Sequence, residues 1–191
     1  MKICVLGLWH LGSVTAACLA SLGHEVVGLD FDAQVVSNLN CGVAPINEPG
    51  LNELVKQGLE SGKLNYSTSI EAASKNIDVL WASYDTPVDD DDNADVEFVV
   101  KQIVRVLPHL PLGTVVLISS QMPVGSIHLL EQIAASKFSA QNLAFACSPE
   151  NLRLGKALDV FLKPDRIVVG VRSESVRRRL EPLLQSITDR I

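Results

Sequence analysis

The stretch Met1-Lys2-Ile3-Cys4-Val5-Leu6-Gly7-Leu8-Trp9-His10-Leu11-Gly12 opens on an unbroken apolar run, Ile3 to Leu6, that stops at Gly7. An apolar run without alternation, bounded by glycine, is the pattern of a parallel strand covered on both faces. Beyond it Leu11, Val14, Thr15, Cys18, Leu19 and Leu22 recur at helical spacing, which predicts a helix over 11–22 with that face buried and Gly23 closing it. Residues 25–30, Glu-Val-Val-Gly-Leu-Asp, read as a second strand ending in a carboxylate. Strand, glycine turn, helix, strand and acid is the layout of half a dinucleotide-binding unit. The turn and the helix N-terminus can hold a pyrophosphate, and Asp30, about 20 residues on, can accept from ribose hydroxyls.

One residue interrupts the glycine pattern. The fingerprint asks for glycine at 7, 9 and 12, and position 9 is Trp9. The middle glycine normally lets the backbone approach the pyrophosphate, so the indole either turns aside or fills the phosphate path. Gly7, Trp9, His10, Leu11 and Gly12 are the candidate cofactor contacts of this turn. Asp30, with Asp32 adding to its field, would accept the free hydroxyl of NAD and repel the 2′-phosphate of NADP.

Outward from this unit the alternation continues. Strands are expected at 64–68, 77–83, 114–119, 143–147 and 166–170, and helices at 33–41, 51–58, 69–75, 96–107, 127–137 and 173–187. A further helix is expected to start at Ser148-Pro149-Glu150, with Ser148 as cap and Pro149 in the first helical position. Ser69, Asp95 and Ser126 are expected caps. The order predicts an α/β fold, Rossmann-like and doubly wound, with a mainly parallel sheet and helices on both faces. No repeat, low-complexity tract or linker divides the chain, so residues 1–191 are expected to form a single domain.

In such a sheet, ligands sit beyond the carboxyl ends of the strands. That rule puts Thr86 and Pro87, after the strand at 77–83, and Ser120 and Gln121, after the strand at 114–119, where a cofactor would pass. The segment 45–51, Pro-Ile-Asn-Glu-Pro-Gly-Leu, is a fixed loop, either a shaped connection or a ligand-facing one. The run Asp89 to Asp92 lacks the alternate spacing and glycine of a calcium loop and reads as a solvated acidic turn; no metal site is expected.

Composition narrows the rest. With 47% hydrophobic and 5% aromatic residues the chain suits an aliphatic core, and a net charge of −6 argues against nucleic acid or an anionic membrane as partner. No apolar run is long enough to span a bilayer, and the chain enters its first strand without a charged leader, so a cytoplasmic protein is expected. Cys4, Cys18, Cys41 and Cys147 are too dispersed for a zinc cage or a disulfide framework. Cys147 ends a strand; a reactive thiol there would need an electropositive neighbourhood.

Taken in order, these segments resemble the N-terminal domain of the UDP-glucose/GDP-mannose dehydrogenase family. The resemblance covers essentially the whole chain. It rests on Gly7 to Gly12, Asp30, the segment 45–51, Asp85-Thr86-Pro87 with Ala94-Asp95, the segment 120–126 (Ser-Gln-Met-Pro-Val-Gly-Ser), the segment 148–153 (Ser-Pro-Glu-Asn-Leu-Arg) and Pro164-Asp165-Arg166. The resemblance implies NAD as cofactor and a UDP-sugar or GDP-sugar as substrate. Its C6 alcohol would be oxidised to a carboxylate through an aldehyde and a thioester on a cysteine. Gly7, Gly12, Asp30, Thr86 and Ser120 would touch NAD, and Glu150 resembles the family's glutamate that helps activate water. The family's nucleophilic cysteine and catalytic lysine belong to a region that would follow residue 191, and a homodimer is the expected form of the longer enzyme.

Four departures gather around the cofactor positions: Trp9 for glycine, Asp85 for the glycine usual before Thr-Pro, Gln121 for threonine, and Leu154 for a glutamate that faces the nicotinamide. They favour a second reading, a non-catalytic module that keeps the fold and has lost standard NAD binding. A 3-hydroxyacid dehydrogenase fits the segments at 48–50 and 148–150 poorly.

Overall fold

The computed structural model describes residues 1–89, 91, 94–149 and 152–191. Its strands are β1 (Lys2–Leu6), β2 (Glu25–Leu29), β3 (Leu64–Ser67), β4 (Val79–Ala82), β5 (Val115–Ile118), β6 (Ala144–Cys147) and β7 (Gly170–Val171). Its helices are α1 (His10–Ser21), α2 (Ala33–Asn40), α3 (Leu51–Glu60), α4 (Ile70–Ala73), α5 (Val96–Val106), α6 (Ser126–Lys137), α7 (Ala157–Leu162) and α8 (Glu174–Gln185). The strands make one sheet in the order β3-β2-β1-β4-β5-β6-β7, and every pairing is parallel except β6 with β7. This is the expected doubly wound α/β architecture. The chain reverses direction of travel between β1 and β4, which leaves a crevice beyond their carboxyl ends.

Two layers of helix follow from the period-2 geometry of the strands. Ile3 and Val5 point to one face and pack with Val14, Leu19, Leu51, Val55, Phe161 and Leu180 from α1, α3, α7 and α8. Cys4 and Leu6 point to the other and pack with Ile70, Val99, Ile103 and Leu130 from α4, α5 and α6. Because both faces are covered, the central strands are buried from end to end except at Lys2, which is why they carry no polar alternation.

The structure corrects several expectations. Helix α1 is buried nearly all round, because its Gly12, Ser13, Ala16, Ala17 and Ala20 are small enough to lie under its neighbours, whereas Leu11 and Leu22 are only partly buried. Pro149 is not helical: the Ser148 N–H donates to the Ile118 carbonyl as a continuation of the β5–β6 pairing, and among the described residues the next helix begins at Ala157. Of the strand expected at 166–170 only Gly170 is in β7, because the Ile167 N–H donates instead to Arg190 near the end of the chain. Ser126 does not cap α6. Gly125 holds the cap position at φ 101°, and the Ser126 hydroxyl donates to the Pro123 carbonyl. Ser69 and Asp95 do cap α4 and α5.

At the β3 edge the side chain of Asn40 meets the strand. Its Nδ2 donates to the Tyr66 carbonyl at 3.1 Å and its Oδ1 accepts the Tyr66 N–H at 3.3 Å.

Candidate functional site

The glycine turn after β1 is shaped by close approach. Gly7 adopts φ 88°, and a Cβ there would lie 2.8 Å from the Tyr84 ring. A Cβ on Gly12 would lie 1.6 Å from the Gly7 carbonyl oxygen, so only glycine lets α1 start this close to the end of β1. Trp9 occupies the cap position of α1 with φ −77° and ψ −138°, outside the helical and extended regions, and the residue is 51% exposed. The ring therefore does not pack under the loop.

Three carboxylates converge on this turn. Asp30, one residue past β2, accepts the Leu8 N–H at 2.7 Å and the Asp32 N–H at 3.0 Å. Asp32 in turn caps α2 through the N–H groups of Gln34 and Val35. Asp85, beyond β4, accepts the Leu11 N–H at 3.2 Å. Glu48 reaches the turn from the Pro45–Gly50 loop: its Oε2 lies 3.2 Å from His10 Nε2 and accepts the Gly155 N–H at 2.8 Å, while Oε1 accepts the Ala157 N–H at 3.0 Å. Glu48 is 5% exposed. The loop at 45–51 is thus a shaped connection whose carboxylate supplies the acceptor at the first helical residue of α7.

Environment splits two of these acids. Burial works against the charge of Glu48, but the Gly155 and Ala157 N–H groups and the His10 ring outweigh it and hold its pKa below the ordinary carboxylate range. Burial likewise opposes the charge of Asp85, and there the Leu11 N–H and His10 offset only part of it, so its pKa is raised.

The opposite wall of the crevice is made by the segments after β4 and β5. Thr86 donates its hydroxyl to the Gln121 carbonyl at 2.7 Å, tying the two segments together, and Pro87 and Gln121 are exposed beside that bond. The hydroxyls of Ser83, Tyr84 and Ser120 are buried with no hydrogen-bond partner among the described residues, and Ser120 is 7% exposed. Buried hydroxyls are ordinarily paired, so three orphans at the carboxyl ends of β4 and β5 are the mark of a polar ligand or water at this edge. Burial also pushes the Tyr84 phenol up, which leaves it a neutral donor. These features fit a dinucleotide: a turn that admits a backbone approach, a carboxylate past β2 and spare hydroxyls past β4 and β5.

Glu150 lies outside the described residues, as do Asp90, Asp92 and Asn93 of the acidic run. Cys147 is half-buried, and burial raises its thiol, the opposite of activation. Cys4, in the core, is pushed up to about 12. A separate cavity of about 530 Å³ opens between α7, residues 164–168 and Ile187 and borders Ser148 and Pro149, immediately before Glu150. Sequence reasoning missed the Glu48–His10 pair and the bond from Asp85 to Leu11. The paired prolines around Glu48 signalled a rigid loop, but nothing local said where its side chain would end.

Residues 1–188 match the family model described as the UDP-glucose/GDP-mannose dehydrogenase family, NAD binding domain. Among curated proteins, the chain is 33% identical over 186 residues to the UDP-glucose 6-dehydrogenase YwqF of Bacillus subtilis, covering 97% of this chain and 42% of that protein. It is 36% identical over 180 residues to a UDP-glucose 6-dehydrogenase of Rhizobium meliloti, covering 94% of this chain and 41% of that protein. Among solved structures, a UDP-glucose dehydrogenase from the hyperthermophilic archaeon Pyrobaculum islandicum superposes with a TM-score of 0.89 at 33% identity, covering 99% of this chain and 45% of that one. The chain therefore spans less than half the length of the relatives it matches.

Proposed function

The chain belongs to the UDP-glucose/GDP-mannose dehydrogenase family, and on that premise we propose that it is the single cofactor-holding domain of a nucleotide-sugar 6-dehydrogenase that takes a UDP-sugar or GDP-sugar. The NAD that this domain type holds accepts hydride from the sugar C6 when bound. The residues of this chain orient it. Gly7, Trp9, His10, Leu11 and Gly12 present backbone at the pyrophosphate, Asp30 receives the ribose hydroxyls, and Thr86, Pro87, Ser120 and Gln121 line the far end of the crevice. Glu150 is assigned the role of helping to activate water at the reacting carbon, as a carboxylate whose pKa an apolar substrate beside it would raise toward the working pH. The observation that carries the reading is the convergence of the glycine turn, Asp30 and the unpartnered Ser120 hydroxyl at the carboxyl ends of β1, β2 and β5.

The nucleotide sugar, its cysteine nucleophile and a homodimeric assembly belong to the longer enzyme in this reading. A cytoplasmic location goes with it, supported by the finding that no helix among the described residues is long and apolar enough to cross a membrane. Calorimetric titration of the 191-residue chain with NAD tests the cofactor half of the proposal: saturable binding that weakens in Asp30→Ala is expected, and no binding overturns it. The same chain is expected to produce no NADH from UDP-glucose. Turnover abolished by Cys147→Ser would show that the nucleophile lies here instead.

A further inference from the structure

Asp85 stands just past β4, in a segment without regular structure, and its carboxylate reaches across the crevice to the first turn of α1, where it accepts the Leu11 N–H at 3.2 Å. Backbone N–H groups at the start of a helix that follows a glycine turn are the donors with which this fold holds a phosphate. A side-chain carboxylate bonded to one of them is an anion already in place. We propose that Asp85 is an internal competitor for the cofactor's pyrophosphate, so that it sets the NAD affinity of this domain: the carboxylate must leave the Leu11 N–H before a phosphate oxygen can take that donor. The inference rests on the NAD reading above.

Three features support it. The Leu11 contact is at the long end of the hydrogen-bond range, which makes it one that an anion of higher charge can displace rather than a fixed strut. The carboxylate's charge is incompletely compensated where it sits. Burial raises its pKa, and the nearest ring, His10, is itself turned to Glu48. Finally, Asp30 already holds the Leu8 N–H of the same turn. Two of the turn's N–H groups are thus engaged by the protein's own carboxylates, and an incoming diphosphate meets both competition for a donor and like-charge repulsion in a partly buried site.

The test is calorimetric titration of the 191-residue chain and its Asp85→Asn, Asp85→Ala and Asp30→Ala variants with NAD, with adenosine as a phosphate-free competitor. Asp85→Asn keeps an acceptor for the Leu11 N–H and removes only the charge, so the fold should be retained, and a thermal melt confirms it. Both Asp85 variants are expected to bind NAD more tightly by about tenfold, a difference of ~1.4 kcal/mol. Adenosine should compete equally well in wild type and Asp85→Asn. If wild type binds NAD and loses it in Asp30→Ala, yet both Asp85 variants bind equally or more weakly, the competitor role is overturned while the cofactor reading stands. If adenosine gains as much as NAD, the effect does not lie at the phosphate and the inference also fails. Absence of NAD binding in every variant overturns the cofactor reading and this inference with it.

Discussion

Glu48 and Asp85 both reach the first turn of α1, and their surroundings make them opposites. On the Glu48 side the carboxylate is sealed from water and meets two backbone N–H groups and the His10 ring, so ionisation is favoured in spite of burial. On the Asp85 side a half-buried carboxylate accepts the Leu11 N–H at 3.2 Å, burial outweighs its donors, and ionisation is disfavoured. The difference teaches that a buried charge becomes structural when its donors approach closely enough to outweigh burial. Glu48 joins α1, α3 and α7 into one unit. Asp85 can let go.

Removing Glu48 should break the first half of this comparison with the largest effect. Glu48→Ala leaves the buried Ala157 N–H and a buried imidazole without an acceptor, at roughly 1–3 kcal/mol for each unsatisfied group, so a loss of about 3 kcal/mol in urea unfolding is expected. A loss below about 1 kcal/mol would mean that water replaces the carboxylate at no cost.

The pH dependence of stability sharpens the comparison further. The folded pKa of Glu48 is lowered, so its contribution is present above its unfolded pKa and disappears as pH falls through the folded value. Wild type should therefore lose its advantage over Glu48→Gln as pH falls below about 4. The folded pKa of Asp85 is raised, so the protein is free of its penalty below the unfolded pKa and acquires it as pH rises through the folded value. Asp85→Asn should gain on wild type as pH rises toward neutrality. Denaturation midpoints of the three proteins across acid and neutral pH check both slopes, and parallel slopes would erase the distinction between the two acids.

Asp30 adds a third acid to the series, one that holds the turn and also faces the ribose in the proposed function. Its removal in Asp30→Ala should reduce the preference for NAD over NADP by about tenfold in titration, the Arg105 guanidinium over Phe31 remaining nearby as a cation. An unchanged ratio would confine Asp30 to its bond with Leu8.

Trp9, between these contacts, should give the smallest effect on cofactor binding. About half of the residue is out of water, on the order of 100 Å² at about 25 cal/mol per Å², so Trp9→Gly should cost about 2–3 kcal/mol of stability. It is expected to tighten NAD binding a few-fold by widening the backbone approach, and equal affinities would make the indole a neutral part of the turn.

How much of this was legible in the chain depends on the range of the interactions involved. The unit β1-α1-β2 was readable because strand run, glycine turn and terminal carboxylate are all local, and its strands fall where the pattern put them. The start of α7 was not. Ser148-Pro149-Glu150 has the composition of a helix entry, yet the acceptor at the helix that does form comes from Glu48, 109 residues before Ala157. A cap delivered from another part of the chain leaves no trace in the residues beside the helix. The all-round burial of α1 was hidden for a related reason, since small residues on its outer side gain meaning only once α3 and α7 lie over them.

The pair of bonds from Asn40 to Tyr66 has a bearing on how the protein behaves in a crowded solution. The N–H groups of Val26 and Asp30 donate to the carbonyls of Lys63 and Ser67, so the alternate residue Tyr66 turns its own N–H and carbonyl away from β2, to the open side of the sheet. There the Asn40 amide, one donor and one acceptor in a plane, imitates the next strand and occupies both groups. Among the described residues the opposite margin offers only the two residues of β7. An unoccupied margin is a template on which another chain can add itself and begin an aggregate. Here one margin has the groups of Tyr66 taken by a side chain and the other is only two residues long, so each margin of the sheet offers little for a copy of the chain to extend.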